Sequence, residues 1–365
     1  MLTCNREAFS KAFHTVSSAA AGAKSDNPIL SNVRVRYREN DTVTLYATDL
    51  YVFISCDVVC MEVKPKFDCL LNAAKFHSIL SVTKSENIEI ESDENEIHVT
   101  CGSADFRIPT SNPQTIPVQA KVEGDSVTVA ARGMRTAINR TQFCTDTASA
   151  RYQLGGVHYE KDAKKTSLNF VGTDGRRLAH STIAADGESK LDGIIPMKAA
   201  RAIMAICDQD GDCMLTADLN SVQVEVGGAV VISRLVEGRY PAWRQVMPDY
   251  KHYTLVPVHA GLLGSSIRQA AIVSDAETRG VDMTFTQGSI QFSAASAETG
   301  RSKVAIPVAY DGDPLAITVD FKFVGEFCKA VDPATIIDMM VSKPTEPAVL
   351  KAADYQYVIM PMARS

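Results

Sequence analysis

The chain repeats itself three times, with a period of about 124 residues. Three segments match in residue type and order, and each runs from a short apolar strand into a helix: LLNAAKFHSIL from Leu70, IIPMKAARAIM from Ile194 and ITVDFKFVGEF from Ile317. The expected helix starts are 124 and 124 residues apart, at Asn72, Pro196 and Asp320. A second marker recurs after 125 residues, since LYATD ends at Asp49 and FVGTD at Asp174. A repeat of this length predicts three copies of one domain rather than a solenoid.

We place the domains at 1–120, 121–249 and 250–365. Each contains two amphipathic segments and roughly eight short alternating strands, which predicts an α+β fold with two helices against antiparallel sheets. Asn5 is expected to cap the first helix, and Pro196 to lie in the first turn of another. YQYVIMPM is expected to form the last strand, and HAGLLGSSIRQAAIV one helix. If the repeats are arranged around a centre, the six helices share one face.

Composition points to an ordinary soluble, cytoplasmic protein. Hydrophobic residues make up 45% of the 365 residues, and charged residues 22%. The N-terminus has no apolar signal region, and no stretch approaches the roughly 18 apolar residues of a membrane span. The nine cysteines are scattered without a CxxC pair, so we expect reduced thiols and no metal or disulfide framework.

The basic residues are concentrated in the helices, although the formal charge of the chain is −6. We count four acidic residues in the six helical segments, namely Glu7, Asp208, Asp275 and Glu326. The basic ones number eleven: Arg6, Lys11, Lys75, Arg132, Arg135, Arg140, Lys198, Arg201, Arg268, Lys322 and Lys329. Any one of them alone is most simply a solvated side chain. A positive helical face on an acidic body is what a surface that follows phosphates requires.

Enzymatic motifs are incomplete in this chain. Ser17 stands where the first glycine of a phosphate loop would be, and Ala23 separates Gly22 from Lys24. CDVVC has no nearby histidine pair for zinc, and the Asp174 and His180 of TDGRRLAH are more simply explained by a turn. We therefore expect no catalysis, no cofactor and no metal. A non-DNA interaction scaffold of three repeated domains is the alternative function, and it predicts no concentration of basic residues on the helices.

Several segments, in their joint order, carry a family resemblance over the whole chain: PILSNVRV, LYATDLYV, VGTDGRRLAHS, SRLVEGRYPAWRQVMP and the terminal YVIMPM. With the threefold repeat, they resemble the bacterial DNA polymerase III beta subunit family, the sliding clamps. The resemblance implies a head-to-tail homodimeric ring of six similar domains, with helices lining a hole through which double-stranded DNA passes. Such a ring holds DNA by topology and needs only sequence-independent attraction to phosphates.

The resemblance also implies a cleft between the second and third domains that binds short linear peptides. In the family these peptides belong to the DNA polymerase III catalytic subunit, the clamp loader and repair proteins. The matching positions are Leu154, Thr173, Gly175, Arg176, Arg177, Leu178, Pro241, Val246, Phe323, Val358, Ile359, Met360, Pro361 and Met362. Apolar and methionine side chains would suit leucine and phenylalanine from several partners. Without the family, Leu154, Leu178 and Val358 could equally be strand core.

Dimer and DNA contacts are implied in the same way. Phe106 and Ile108 would meet Ile272 and Val273 of the other subunit. For DNA contact, Lys24, Tyr152 and Lys198 occupy positions that match the family's DNA-touching ones. The concentration of basic residues in the helices adds Arg201, Arg132 and Arg135 as candidates.

The chain departs from the family pattern at several positions. Thr278 and Gln153 replace aromatic residues that are frequent in the family. At the polar rim of the implied dimer interface, the family often pairs basic residues on the Phe106 strand with acidic residues of the opposing domain. Here that strand carries Asp105 and Arg107, and the opposing segment carries Glu298 and Arg301.

Overall fold

The structure is a computed structural model that describes residues 1–22, 25–93, 95–146, 148, 151–275 and 277–363. The described residues form an α+β fold in which six α-helices accompany 25 strands. They divide into two compact units, the first of residues 1–135 and 185–235 and the second of residues 136–184 and 236–365. The residues of the second repeat are shared between these units. The three domain boundaries stay a prediction.

The helices and strands follow the same order in each repeat, as the sequence repeat predicts, except that the first repeat has one additional short strand, Glu62–Val63. The first repeat contains β1 (Leu2–Asn5), α1 (Arg6–Ser17), β2 (Asn32–Tyr37), β3 (Thr42–Thr48), β4 (Val52–Val59), β5 (Glu62–Val63), β6 (Asp68–Asn72), α2 (Ala73–Val82), β7 (Asn87–Ser92), β8 (Glu96–Cys101) and β9 (Ala104–Pro109). The second contains β10 (Asp125–Ala130), α3 (Ala131–Thr141), β11 (Gly156–Lys161), β12 (Ser167–Thr173), β13 (Arg177–Ala184), β14 (Leu191–Pro196), α4 (Met197–Ile206), β15 (Asp212–Ala217), β16 (Ser221–Val226) and β17 (Ala229–Arg234).

The third repeat ends the chain with the same arrangement. Its elements are β18 (Thr254–His259), α5 (Ala260–Ala270), β19 (Gly280–Thr286), β20 (Ser289–Ser296), β21 (Gly300–Pro307), β22 (Leu315–Asp320), α6 (Phe321–Lys329), β23 (Ile336–Val341), β24 (Ala348–Ala352) and β25 (Tyr355–Ile359).

The 124-residue spacing falls on three equivalent helix caps. Asn72 and Asp320 are N-caps whose side chains accept hydrogen bonds from the backbone N–H groups of Lys75 and Lys322. Pro196 is the third N-cap and is also the last residue of β14, with φ −65° and ψ 151°. The prediction that Pro196 lies inside the first helical turn was therefore wrong by one residue, because its extended ψ completes the strand before the helix begins at Met197. Asn5 caps α1, as predicted.

Three further details differ from the predictions. The last strand ends at Ile359, so that Met360, Pro361 and Met362 lie beyond it. The pattern of RYQLGGVHYE predicts one strand, but its residues Tyr152–Leu154 form a 3-10 turn before that strand begins. The helix α5 ends at Ala270 and is followed by a 3-10 turn, Ala271–Val273.

Two sheets form the first unit. One has the strand order β5-β1-β7-β8-β9, and the other β10-β15-β16-β17-β4-β3-β2-β6. The second sheet joins two repeats, since β4 of the first pairs antiparallel with β17 of the second. Helices α1 and α2 pack through Phe9, Phe13 and Phe76, with a distance of 4.9 Å between the ring centres of Phe13 and Phe76.

The second unit repeats this plan. Its strands run in the order β11-β12-β13-β25-β24-β23-β18, and a separate sheet has the order β21-β20-β19-β22. Here β13 of the second repeat pairs antiparallel with β25 of the third. The register matches that of the other joint, because Cys56 lies opposite Ala229 and Ser181 opposite Tyr355. The two joints between repeats are thus built by equivalent strands in the same register.

Apolar side chains fill both units, and all nine cysteines belong to these interiors. Each is buried as a free thiol. Helices α5 and α6 approach closely at Gly264, where an added Cβ would lie 2.9 Å from the Cβ of Cys328. Within the described part of the chain, no helix is long and apolar enough to cross a membrane.

Candidate functional site

A cavity of about 190 Å³ opens in the second unit, beside the joint between β13 and β25. Its walls are mainly apolar and come from four separate stretches of the chain. The lining residues are Arg151, Leu154, Thr173, Gly175, Arg176, Arg177, Leu178, Pro241, Trp243, Val246, Val358 and Met360. A concave apolar site with a few polar groups is the usual form of a ligand or peptide site.

The cavity brings together most of the residues that the family resemblance implies for the peptide cleft. Four of them lie outside its lining, namely Phe323, Ile359, Pro361 and Met362. Arg151 and Trp243 also line the cavity, but they are not among the positions that the resemblance implies for the cleft. Trp243 could have been suspected, because it is the only tryptophan of the chain and stands between Pro241 and Val246.

One wall is a turn whose shape is fixed by Thr173 and Asp174. The Thr173 hydroxyl accepts a hydrogen bond from the N–H of Gly175, at 3.1 Å. Asp174 Oδ1 accepts from the N–H groups of Arg176 and Arg177, at 2.9 and 3.1 Å. Gly175 adopts φ +87°, a left-handed conformation that glycine reaches without steric cost. The turn thereby directs two successive arginines to the cavity.

Arg177 has a side chain that is only 8% exposed and is bonded on every side. Its guanidinium donates to Asp174 Oδ2 at 3.0 Å, to the carbonyl of Phe143 at 2.7 Å and to the carboxylate of Glu326. Burial alone would lower the pKa of Arg177, but the Tyr357 hydroxyl and the nearby anionic groups keep that pKa above its ordinary value. Arg177 is therefore a charged anchor that holds this wall in place.

Trp243, another residue of the cavity lining, is held by a cluster of polar side chains. Its indole N–H donates to Glu160 Oε1 at 3.1 Å, and the Arg244 guanidinium lies 4.3 Å from its ring centre. The His180 ring lies 4.5 Å from the Trp243 ring. Burial, and secondarily the charge of Arg244, lowers the pKa of His180 to about 4. His180 is thus neutral near pH 7.

The C-terminal segment forms one wall of the cavity. The N–H of Met360 donates to the carbonyl of Arg176 at 2.9 Å, and that of Met362 to the carbonyl of Thr318 at 2.8 Å. Val358 pairs with Leu178 across the two strands. Leu154, Leu178 and Val358 are each 2% exposed, so they are strand or turn core and cavity lining at once.

The equivalent joint in the first unit is filled by larger side chains. Tyr46, Phe53 and Ile232 are buried there in one cluster. The corresponding residues of the second unit, by repeat and register, are Val171, Leu178 and Val358. Leu178 and Val358, which line the cavity, are smaller than their counterparts Phe53 and Ile232 and so leave more room at this joint.

The residues implied for the dimer lie on one sheet edge and in a turn beside another. Phe106 is half-buried and Ile108 buried on β9, the last strand of its sheet. Ile272 is 78% exposed, and Val273 packs partly on the core next to β21, which is also a sheet edge.

The polar side chains of the β9 edge are already paired within its own sheet. Asp105 lies 2.5 Å from His98 Nε2, and Arg107 lies 3.8 Å from Glu96. Asp105 and Arg107 thus have partners within their own sheet. Their contact with a segment that holds Glu298 and Arg301 in another subunit stays a prediction.

The residues implied for DNA contact are dispersed along the chain. Lys24 lies outside the described residues. Tyr152 is 78% exposed, and Arg201 on α4 is exposed. The amino group of Lys198 lies 2.6 Å from Asp49 Oδ2 and 3.0 Å from the carbonyl of Ala19.

Arg132 and Arg135 on α3 are also paired with carboxylates. Arg132 is bonded to Asp210, and Arg135 Nε lies 3.4 Å from Asp208 Oδ1. Asp208 and Asp275, which we had counted as helical, lie outside α4 and α5 because both helices end before them. Three of the implied cations are therefore partly neutralised within the chain.

The side chains of TDGRRLAH do not form a catalytic pair. His180 Nε2 is 2.9 Å from the Asn169 side chain, whereas Asp174 bonds Arg177. Over the described ranges, His, Cys, Asp and Glu do not gather in threes as a metal site would require. Thr278 does not line the cavity; its N–H donates to Asp275 Oδ1 at 2.8 Å.

Comparison with known proteins gives matches in chain order over almost the whole sequence. Residues 1–120 match the N-terminal domain of the DNA polymerase III beta subunit, residues 128–242 its central domain and residues 244–363 its C-terminal domain. The beta sliding clamp of Proteus mirabilis is 28% identical over 360 residues, which cover 94% of this chain and 95% of that protein. The beta sliding clamp of Chlamydia pneumoniae is 26% identical over 340 residues, covering 92% and 91%.

Solved structures share the fold. A sliding clamp from Pseudomonas aeruginosa bound to griselimycin superimposes with a TM-score of 0.90 at 24% identity, over 100% of this chain and 99% of that one. The beta subunit from Thermotoga maritima gives a TM-score of 0.89 at 19% identity, with the same coverage. All three domains of one family thus occur here once, in the same order. The chain belongs to the DNA polymerase III beta subunit family.

Proposed function

We propose that this protein is a DNA sliding clamp, a processivity factor that encircles double-stranded DNA and tethers the replicative polymerase and other replication and repair proteins. The observation that carries the proposal is the match of three tandem beta subunit domains over residues 1–120, 128–242 and 244–363. The protein would act in the cytoplasm and without catalysis, since topological retention of DNA requires no chemical step.

The strand pattern supports a head-to-tail homodimer. Within the chain, β4 of the first repeat pairs with β17 of the second, and β13 of the second repeat pairs with β25 of the third. By their place in the repeats, β4, β13 and β21 are equivalent strands, and so are β9, β17 and β25. By the same equivalence, β21 of the third repeat and β9 of the first are the two strands that lack such a partner, and both are sheet edges in the described structure. An unpaired edge readily accepts another strand. We therefore propose that β21 of one subunit pairs with β9 of the next.

The apolar side chains beside these edges would complete the interface. Ile272 is exposed and Val273 lies next to it, while Phe106 on β9 keeps part of its ring accessible. A head-to-tail contact closes into a ring only if the same joint forms at every interface, which the repeated register favours.

We propose the cavity beside β13 and β25 as the site for partner peptides. Its apolar walls suit leucine and phenylalanine side chains, and Met360 supplies an adaptable surface. The exposed Arg176 at its edge would attract an acidic or carboxyl group of the peptide. The DNA polymerase III catalytic subunit, the clamp loader and repair proteins are the proposed carriers of such peptides.

The experiment that tests the function compares circular with linear DNA. The protein is assembled on a nicked plasmid with the clamp loader, and the complex is separated from free protein by gel filtration at high salt. Retention on the circle, with loss after a single cut, is the expected result, because a closed ring can leave only over an end. Equal retention on both forms would refute encirclement, and no retention on either would favour the non-DNA scaffold.

A further inference from the structure

The basic face of α3 carries its own counterions. Arg132 and Arg135 are three residues apart and so lie on one face of the helix. Arg132 is bonded to Asp210 through Nε, and its Nη2 lies 3.4 Å from the second carboxylate oxygen. Arg135 Nε lies 3.4 Å from Asp208. Both carboxylates belong to the short connection between α4 and β15.

This connection and the end of α4 are held against α3 by hydrogen bonds to backbone carbonyls. The N–H of Ala131, the first residue of α3, donates to the carbonyl of Gly211 at 2.9 Å. Arg135 Nη1 donates to the carbonyl of Met204 at 3.1 Å. Gly211 has φ +112°, which allows the chain to turn there. The two carboxylates are therefore held at the arginines by the fold.

The pairs are accessible to water, so a phosphate can compete for the arginines. Arg132 and Asp210 are 62% and 85% exposed, and Arg135 and Asp208 are 39% and 51% exposed. Exposed pairs of this kind are individually weak. A phosphate that replaces the carboxylate must break the pair and then lies close to the displaced negative charge. Each arginine thus contributes less to DNA affinity than a free one would.

Arg201 on α4 provides the internal contrast. It is exposed, and within the described residues it forms no ion pair. The helices therefore present both free and neutralised cations, and the neutralised ones are held by residues outside the helices.

We propose that Asp208 and Asp210 are built-in counterions that weaken the grip of the helices on DNA phosphates. This inference rests on the proposed clamp function. A ring needs no tight contact to stay on DNA, and weaker contacts shorten the dwell at each phosphate. The two aspartates would thus favour sliding at the expense of affinity.

The test is the binding of a short linear duplex, measured by fluorescence anisotropy between 50 and 200 mM salt. Asp208→Asn with Asp210→Asn should tighten binding roughly two- to fivefold for each carboxylate removed. The slope of log K against log salt should steepen by up to about 2, since each freed arginine neutralises about one more phosphate. The matched control is Glu39→Gln with Glu89→Gln, which changes the net charge equally at two exposed sites outside the helices.

A double-mutant cycle with Arg132→Ala isolates the interaction between Arg132 and Asp210. Once Arg132 is removed, adding Asp210→Asn should have a clearly smaller effect than in the intact protein. An aspartate double variant that behaves like the glutamate control, or an undiminished Asp210→Asn effect without Arg132, would overturn the inference. Plasmid retention of the unaltered protein is measured in parallel. Its loss would refute the clamp function itself, whereas normal retention with an unchanged slope would refute only the counterion role.

Discussion

The guanidinium carbon of Arg177 lies 4.2 Å from the centre of the Phe323 ring. The guanidinium donates its hydrogen bonds within its own plane, so its faces are covered by rings instead, with Phe143 at 5.5 Å in addition to Phe323. The Phe323 ring thereby helps to seal a charged group into the second unit. Phe323 does not line the cavity, although the resemblance assigns it to the cleft. Its role is to support the arginine that does.

Replacing Arg177 by Met should destabilise the second unit by about 2 to 4 kcal/mol. The change leaves Asp174 and Glu326 without their buried cation, and the partial exposure of Glu326 keeps the cost below that of a fully buried pair. Urea unfolding followed by circular dichroism measures it. Arg176→Met is the matched control, since the neighbouring side chain is exposed and should change stability by less than about 0.5 kcal/mol. Equal losses for both variants would contradict the anchoring role.

Acidification should weaken the second unit through His180. The pKa of this imidazole is about 4 in the folded protein, against about 6.5 in an unfolded chain, so the unfolded state binds more protons between these values. The contribution to stability is therefore complete above pH 6.5 and is lost as pH falls towards 4, by up to about 3 kcal/mol. Unfolding at pH 7.5 and 5 should differ less in His180→Gln than in the unaltered protein. His77→Gln, at an exposed histidine, should leave the difference unchanged.

Ile272→Ala combined with Val273→Ala should shift the protein from dimer to monomer. Burying an aliphatic side chain contributes roughly 1.5 to 3 kcal/mol, and these two lie beside the β21 edge. Analytical ultracentrifugation below micromolar concentration gives the mass directly. Ile336→Ala removes an equally apolar, exposed side chain elsewhere and serves as the control. A double variant that remains dimeric would place the interface at other residues.

The salt dependence of DNA binding should separate free from paired cations. Lys198, Arg201, Arg132 and Arg135 are expected to act without sequence preference. Replacing two of them by Ala should lower the salt slope by less than about 1.8, because Lys198, Arg132 and Arg135 are already paired with carboxylates. Arg201→Ala alone should lower it by about 0.9. Lys198→Ala should lower it less, because Asp49 already holds that amino group at 2.6 Å. Identical slopes for the two single variants would argue against this distinction.

Removal of Met360 to Ser365 should abolish peptide binding while the dimer and its DNA association persist. The segment provides one cavity wall through Met360, and the loss amounts to several kcal/mol if two or three apolar side chains lose their site. Calorimetry with a peptide of the type Gln-Leu-x-Leu-Phe measures it. Val82→Ala, at an exposed apolar residue of the first unit, should bind the peptide normally. Unchanged affinity of the truncated protein would remove the C-terminal segment from the site.

Local signals predicted the secondary structure well where a residue acts through its own backbone. Asn5, Asn72 and Asp320 cap their helices because their side chains need only the next turn. The end of the last strand was less predictable. Met360 still donates its N–H to the carbonyl of Arg176, the residue before β13, but regular pairing stops at Ile359.

The candidate site was harder to predict, because it depends on partners distant in sequence. Trp243 reaches the cavity through a bond to Glu160, 83 residues away. The aspartates that neutralise Arg132 and Arg135 lie about 75 residues further along the chain, in the connection after α4, where the residue pattern placed Asp208 inside the helix. Residue type indicated the charge of the helices, but the neutralisation of that charge depends on tertiary structure.

In the dimer that we propose, the edges β9 and β21 also determine how a single subunit behaves before it pairs. Along β21, exposed Arg301 and Lys303 alternate with inward-facing residues, and β9 exposes Asp105 and Arg107. Charged residues on an edge oppose indiscriminate strand addition, because a wrong neighbour would bury them without compensation. A newly made subunit is therefore expected to stay monomeric in solution until it meets a second subunit, because the charges on its own edges oppose aggregation.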